Sequence, residues 1–333
     1  MTQAKPTRNE LLSSNLEARR EQTVIDRVLG RLSSMELPAK DHFENYLRHK
    51  WRLNHKRKTM ESSFTSIMLF LRFYEASGKS DIKGVARSDL EAFIEHEQDR
   101  KMHISTVRTR MACIIAFLHF LMEQDVLPLS LLKRRITLKL PETLPRAMNP
   151  HDVKRLLSAI DHTRDRALIL LLVRTGIRIG EALGLTMRDV DLKERKVHLM
   201  EGEKNNMGRV VYLSDDAAFT LKRWFTRRDP EKVFIFYGKG DGPMCYSTAR
   251  CRFVHYLSEA GLQGKGYTVH SLRHTMASEL LNAGMHLDCL RQLLGHQDIE
   301  VTRRYARLTD KTREDEYFRA MAKIEKGEID GEY

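Results

Sequence analysis

The sequence predicts a mainly α fold with a small β-hairpin or sheet, arranged as two domains. Three observations carry this. At 333 residues the chain exceeds one compact core, since a domain takes roughly 100–200 residues. Apolar residues recur at helical spacing over most of its length. One pair of alternating segments, "KVHLM" and "RVVYL", brackets the turn-forming "EGEKNNMG", as the strands of a hairpin do.

Residues 1–35 are polar, with too few apolar positions to define a core, and read as an arm or an added helix. Residues 36–132 read as a small helical domain. In "TMESSFTSIMLFLRFYEASG" the set Met60, Phe64, Ile67, Met68 and Leu71 forms one apolar stripe, with Thr59 placed to cap the start and Gly78 to stop it. "RSDLEAFIEHE" sets Ser88 three residues before Glu91, a capping-box spacing. "STVRTRMACIIAFLHFLMEQ" repeats the stripe through Val107, Met111, Ile114, Ile115, Leu118 and Leu121. Residues 133–149 lack helical periodicity and contain prolines, so they read as a linker. Asn149 and Pro150 suit an N-cap and first helical position, opening a second domain over 150–310.

There the hairpin interrupts a run of helices. "VFIF" reads as a short strand or buried edge, helices are expected near Ser247, His270 and Asp288, and Gly284 and Gly295 suit helix stops. In residues 311–333, Tyr317, Met321 and Ile324 would share one side of a helix needing a surface to cover it.

Composition narrows the partners. Lys plus Arg number 57 against 45 Asp plus Glu, a formal charge of +12, which favours a polyanion: nucleic acid first, an anionic membrane second. The longest uninterrupted apolar run, Ala167 to Val173, falls short of the roughly 20 residues that cross a bilayer. The N-terminus carries no signal-like apolar core, so the expectation is a cytoplasmic protein. Cys113, Cys245, Cys251 and Cys289 show no CxxC spacing and read as reduced thiols.

Arg178 sits in "TGIRIGEALGL" among apolar neighbours and needs a counter-ion, either Glu181 nearby on the helix or an anionic ligand. In "VHSLRHT", His270 and Arg273 fall one turn apart and can address one ligand, or simply form a polar face. His270 and His274 have the spacing of a zinc pair, but Ser271 stands where HExxH has glutamate and no third ligand is evident. His296 follows a helix stop, and Tyr305 comes nine residues later. Together with Lys204 on the hairpin turn, these residues make an anion site with a nucleophile.

"TGIRIGEALGL", "HSLRHTMASELLNAG" and "LLGHQDIEVTRRY" closely resemble the boxes of the tyrosine recombinases, the phage-integrase and Xer-like enzymes. The resemblance implies a two-domain, C-shaped DNA clamp, with a SAM-like helical core-binding domain and a catalytic domain. It implies a site-specific recombinase that cleaves and rejoins strands through a 3′-phosphotyrosyl ester. Tyr305 would be the nucleophile, His270 the general base and Lys204 the general acid, with Arg178, Arg273 and His296 clamping the phosphate. The hairpin departs from the family's usual Gly-Lys-Gly, reading "GEKNNMGR". Counting back from "RVVYL" selects Lys204, and Lys196 is the alternative.

No metal, nucleotide or other cofactor is implied. The implied partners are double-stranded DNA bearing a specific recombination site and further copies of the chain, as a tetramer in the synaptic complex. Lys56, Arg57, Lys58, Arg108, Arg110 and Arg134 are candidate DNA contacts. Relaxation of the type IB topoisomerase kind, a DNA-binding protein without catalysis, and a metal-dependent nuclease are the competing readings.

Overall fold

The computed structural model describes residues 25–134, 136–140, 146–199, 208–295, 317–318 and 321. Its chain divides into two compact units, Met1–Glu142 and Thr143–Tyr333.

The first unit is helical: α1 (residues 25–33), α2 (Lys40–Arg52), α3 (Arg57–Ala76), α4 (Arg87–Asp99) and α5 (Ile104–Glu123). On α3, Met60, Phe64, Ile67 and Leu71 are buried as the spacing predicts, while Met68 is only partly so. The helix begins two residues before Thr59, after an extended Lys56 that makes no side-chain cap. Capping of α4 also differs from expectation. Asp89 accepts the Ala86 N–H at 2.9 Å, while Ser88 already lies inside the first turn and Glu91 pairs with Arg87 at 2.8 Å. Part of the segment read as an arm belongs to this unit, because Ile25, Val28 and Leu32 of α1 are buried in the same core. Ile136 and Leu138 of the predicted linker pack on it as well.

By length and composition α5 is apolar enough to cross a membrane, which a count of uninterrupted apolar residues overlooks. Its Val107, Met111, Ile114, Phe117, Leu118 and Leu121 are instead buried within the helical core. Phe117 is the hub. Its ring lies 5.9 Å from that of Phe43 and 5.3 Å from that of Tyr46, and Phe43 in turn stacks on Phe64 at 5.6 Å.

The second unit opens with α6 (Pro150–Ser158), where Asn149 accepts the His151 N–H at 2.9 Å and Pro150 takes the first position. Helix α7 (Thr163–Thr175) carries the apolar run Ala167 to Val173, every residue of which is buried. That run is therefore the centre of a core. Gly176, at φ 62°, ends α7, and α8 (Ile179–Gly184) follows.

The sheet has three antiparallel strands in the order β1 (Val190–Asp191), β2 (Lys196–Leu199) and β3 (Arg209–Tyr212). The hairpin strands pair with Leu199 opposite Arg209 and Lys196 opposite Tyr212. "VFIF" is no strand. It makes one bridge, Phe234 to Thr186, and otherwise buries Ile235 and Phe236.

Helices α9 (Asp215–Phe225), α10 (Tyr246–Glu259), α11 (Val269–Asn282) and α12 (Leu287–Leu294) follow. The last three start one residue before Ser247, His270 and Asp288. Gly284 and Gly295 adopt positive φ just beyond α11 and α12. Tyr317 is helical and exposed and Met321 half-buried, while Ile324 lies outside the described residues.

Because Phe117 touches two other buried aromatics, its loss leaves a cavity that α2 and α3 cannot close. Phe117→Ala is expected to destabilise the first unit by about 3–5 kcal/mol, measured by denaturant unfolding followed through helical circular dichroism.

Candidate active site

The site is built on the C-terminal end of α12. The last carbonyls of a helix have no partner within it and carry the negative end of its dipole. Here three arginines take three successive carbonyls. Arg209 Nε donates to Leu293 O at 2.9 Å, Arg273 Nη2 to Leu294 O at 2.6 Å, and Arg178 Nη2 reaches Gly295 O at a longer 3.4 Å. They arrive from three directions: β3, α11 and the residue that precedes α8.

Two left-handed glycines make the approach possible. Gly295 turns the chain out of α12 at φ 62°, and a Cβ there would lie 2.9 Å from Arg209 Nη1. Gly176, also at φ 62°, presents its carbonyl to Arg273 Nη1 at 2.5 Å. A Cβ on Gly176 would meet Met276 Sδ at 2.9 Å and Leu294 at 3.3 Å. Arg273 is thus 2% exposed and spans the ends of α7 and α12.

Arg178 and Arg209 share Glu181. One carboxylate oxygen accepts Arg178 Nη1 at 3.0 Å and Arg209 Nη1 at 3.0 Å. The other accepts the Arg178 backbone N–H at 2.7 Å and Arg209 Nη2 at 2.8 Å. Of the two counter-ions the sequence left open for Arg178, Glu181 is therefore present. Among the described residues, Glu181 is the carboxylate placed against Arg178 and Arg209, while Arg273 is held by the carbonyls of Gly176 and Leu294. Burial alone would raise the Glu181 pKa, but the hydrogen bonds from Arg209 and from the Arg178 backbone, with both positive charges, hold it below the usual value.

His270 is exposed at the second position of α11, one turn before Arg273, and its ring stands edge-on to His274 at 4.6 Å. Among the described residues no group of three or more His, Cys, Asp or Glu side chains is placed to hold a metal. Lys204, His296 and Tyr305 lie outside the described residues. Lys196 is on β2, paired with Glu194 at 3.4 Å.

The proposed DNA contacts divide by environment. Lys56, Arg57 and Lys58 are exposed around the start of α3, with Arg57 bonded to Glu61 at 2.8 Å. Arg108 is exposed on α5. Arg134 is exposed and its carbonyl accepts Arg87 Nη1 at 2.6 Å. Arg110 turns inward, its side chain 16% exposed and bonded to the fully buried Glu97, which Arg100 also contacts at 2.8 Å.

Arg209 is the residue that sequence reasoning missed. Its signal was its place in "RVVYL": two positions before the buried Val211, it shares that residue's face of the strand. An arginine on a core-facing position needs a buried partner.

Both the fold and the sequence have relatives. A Tn1549 transposon integrase in complex with a circular intermediate DNA matches with a TM-score of 0.68 and 20% identity over 81% of this chain and 95% of that one. A XerH site-specific recombinase bound to a palindromic difH substrate matches with a TM-score of 0.67 and 20% identity over 91% and 95%. These structures define the fold class, a recombinase fold. In sequence, the chain is 30% identical over 287 residues to tyrosine recombinase XerC of Roseiflexus sp. (strain RS-1), covering 80% of this chain and 89% of the relative. Residues 41–125 match the phage integrase N-terminal SAM-like domain and residues 146–312 the phage integrase family. The chain belongs to the phage integrase family of tyrosine recombinases.

The lowered pKa of Glu181 has a definite sign. A carboxyl with a depressed folded-state pKa contributes stability that is complete above its usual value, 4.5, and is lost as pH falls through the folded value. Glu181→Gln is therefore expected to melt below the unaltered chain at pH 7. The gap should narrow in melts taken progressively below pH 4.5.

Proposed function

We propose that this tyrosine-type site-specific recombinase breaks and rejoins DNA with Arg178, Lys204, His270, Arg273, His296 and Tyr305. The observation that carries the reading is the meeting of Arg178 and Arg273 on the adjacent carbonyls of Gly295 and Leu294, immediately before His296 in the chain. Two guanidiniums at one point suit a phosphodiester, whose nonbridging oxygens gain charge as a fifth oxygen bonds to phosphorus.

In this reading the Tyr305 phenolic oxygen attacks the phosphorus, His270 accepts the phenol's proton, and Lys204 donates a proton to the departing 5′ oxygen. The product is a 3′-phosphotyrosyl ester and a free 5′ hydroxyl. Rejoining runs the same steps in reverse, with the ester retaining the energy of the broken bond, so no nucleotide is consumed. The arginines, with a hydrogen bond from His296, supply the charge that a metal would otherwise provide.

Hairpin register supports Lys204 over Lys196. Arg209, opposite Leu199, marks the end of the ladder that reaches the site, whereas Lys196 pairs with Tyr212 three residues further away, roughly 10 Å at strand spacing.

The partner in this reading is double-stranded DNA carrying a specific site. Four copies act together on two duplexes in the cytoplasm, with Lys56, Arg57, Lys58, Arg108 and Arg134 on the phosphate backbone. Relaxation of the type IB kind is not favoured, since the matched relatives are named recombinases.

A randomised library of nicked duplexes tests the chemistry, because a nick lets the 5′ fragment leave and traps the ester. Denaturant-resistant adducts recovered and sequenced are expected to share one site and to form equally in EDTA. Tyr305→Phe should abolish them while the variant still binds the recovered duplex. Adducts persisting in that variant would overturn the reading.

Phosphate contacts have their own signature. Arg108→Gln is expected to reduce the salt dependence of DNA binding, as log K against log salt, by about one. Arg110→Gln should leave that slope unchanged and lower the melting temperature of the first unit, because it strips a partner from buried Glu97.

A further inference from the structure

We infer that Arg209 is a positioning residue for strand cleavage, holding Glu181 so that Arg178 is both oriented and electrostatically free to take a phosphate. The inference rests on the catalytic reading above and assigns a role to a side chain outside its six groups. Arg209 touches no reacting atom in that reading. It acts through two neighbours.

The first is Glu181. The Arg209 fork covers both carboxylate oxygens at 3.0 and 2.8 Å, while Arg178 offers those oxygens one guanidinium nitrogen and one backbone N–H. Two guanidiniums thus divide one negative charge, and Arg209 takes the bidentate share, the stronger geometry. Without Arg209 the whole charge of a largely buried carboxylate would fall on Arg178, 3.0 Å away. Arg178 would then be drawn into its own fork-to-fork pair with Glu181 and would meet an incoming phosphate already neutralised. Glu181 would change from an orienting group into a competitor of the substrate.

The second neighbour is the end of α12. Arg209 Nε holds Leu293 O at 2.9 Å, one carbonyl before that held by Arg273 and two before that held by Arg178. A single side chain, 12% exposed, therefore joins the loop end of the β2–β3 hairpin to the helix end that precedes His296. Through it β3, which follows Lys204 in the sequence, is fixed to the proposed phosphate clamp. Lysine cannot replace it fully, because an ammonium has no planar fork to span both oxygens while also reaching a carbonyl.

The test measures single-turnover adduct formation and DNA affinity separately, on the nicked duplex recovered from the library. Arg209→Met is expected to slow adduct formation roughly 100-fold, the scale of a misplaced catalytic group, with affinity for the same duplex unchanged. Adding Glu181→Gln to Arg209→Met should recover part of the lost rate, since it removes the carboxylate that captures Arg178, whereas a merely structural role would give a further loss.

No rate loss, a parallel loss of rate and affinity, or no recovery in the double variant would overturn the inference. If Arg209→Met fails to fold, Arg209→Lys serves. It should cleave slowly at unchanged affinity, and Glu181→Gln added to it should cost little more; losses that multiply independently would overturn the inference. An unaltered chain that forms no adduct, or adducts surviving Tyr305→Phe, would remove the catalytic reading and this inference with it. Those outcomes are distinct from normal Tyr305 chemistry that is indifferent to Arg209.

Discussion

Three guanidiniums converge on the carbonyls of Leu293, Leu294 and Gly295 at the end of one short helix, and among the described residues the end of α7, the start of α8, β3 and α11 all meet there. Left in water, three like charges would separate. They are held because a helix C-terminus offers oriented carbonyl dipoles with no intrahelical partner, and because Glu181 lies between two of the arginines. The cost of gathering positive charge is thereby met in folding, before any anion arrives. In the proposed reaction a site prepared in this way need not reorganise as charge develops on the phosphate, which is the main electrostatic advantage an enzyme has over water.

The core supplies the geometry. Helix α7, buried through its whole central run, ends at Gly176, whose carbonyl takes Arg273, and the next turn delivers Arg178 to the start of α8. From the far side of the sequence, α11 buries Leu272 and Met276 on either side of Arg273. The residue that most needs exact placement is thus fixed by its apolar neighbours as well as by its own hydrogen bonds. Short α12 is anchored by Leu290 and Leu294, so the carbonyls it offers are as rigid as the core they rest on.

Much of this was legible in the sequence wherever the determining pattern is local. The α3 stripe, the β2–β3 hairpin, the Asn149–Pro150 start and the glycine stops each depend on spacing within one element. Features settled by a distant partner were not legible. Strand β1 is two residues long and exists because β2 pairs with it. "VFIF" has strand composition, yet it is placed by burial of Ile235 and Phe236 with a single bridge to Thr186. The start of α3 moved because an extended Lys56 can open a helix without a side-chain bond, and that of α4 because Asp89, not Ser88 or Glu91, bonds the Ala86 N–H. Arg110 and Arg108 look alike on paper and differ only because Glu97, on another helix, claims one of them. Arg209 is the extreme case, with partners 28 and 84 positions away.

The two left-handed glycines carry the constraint down to the backbone. At either position a side chain would incur the strain of positive φ and would also enter space already filled, by Met276 and Leu294 at Gly176 and by Arg209 at Gly295. The arginine cluster therefore cannot be adjusted one residue at a time, since moving any member disturbs a helix end that the others also hold. The exposed cations of the first unit, Lys56, Lys58 and Arg108, are under no comparable restriction. If those cations meet DNA as proposed, a chain divided in this way lets them change while the arginine cluster stays fixed, because the two sets of residues rest on separate cores.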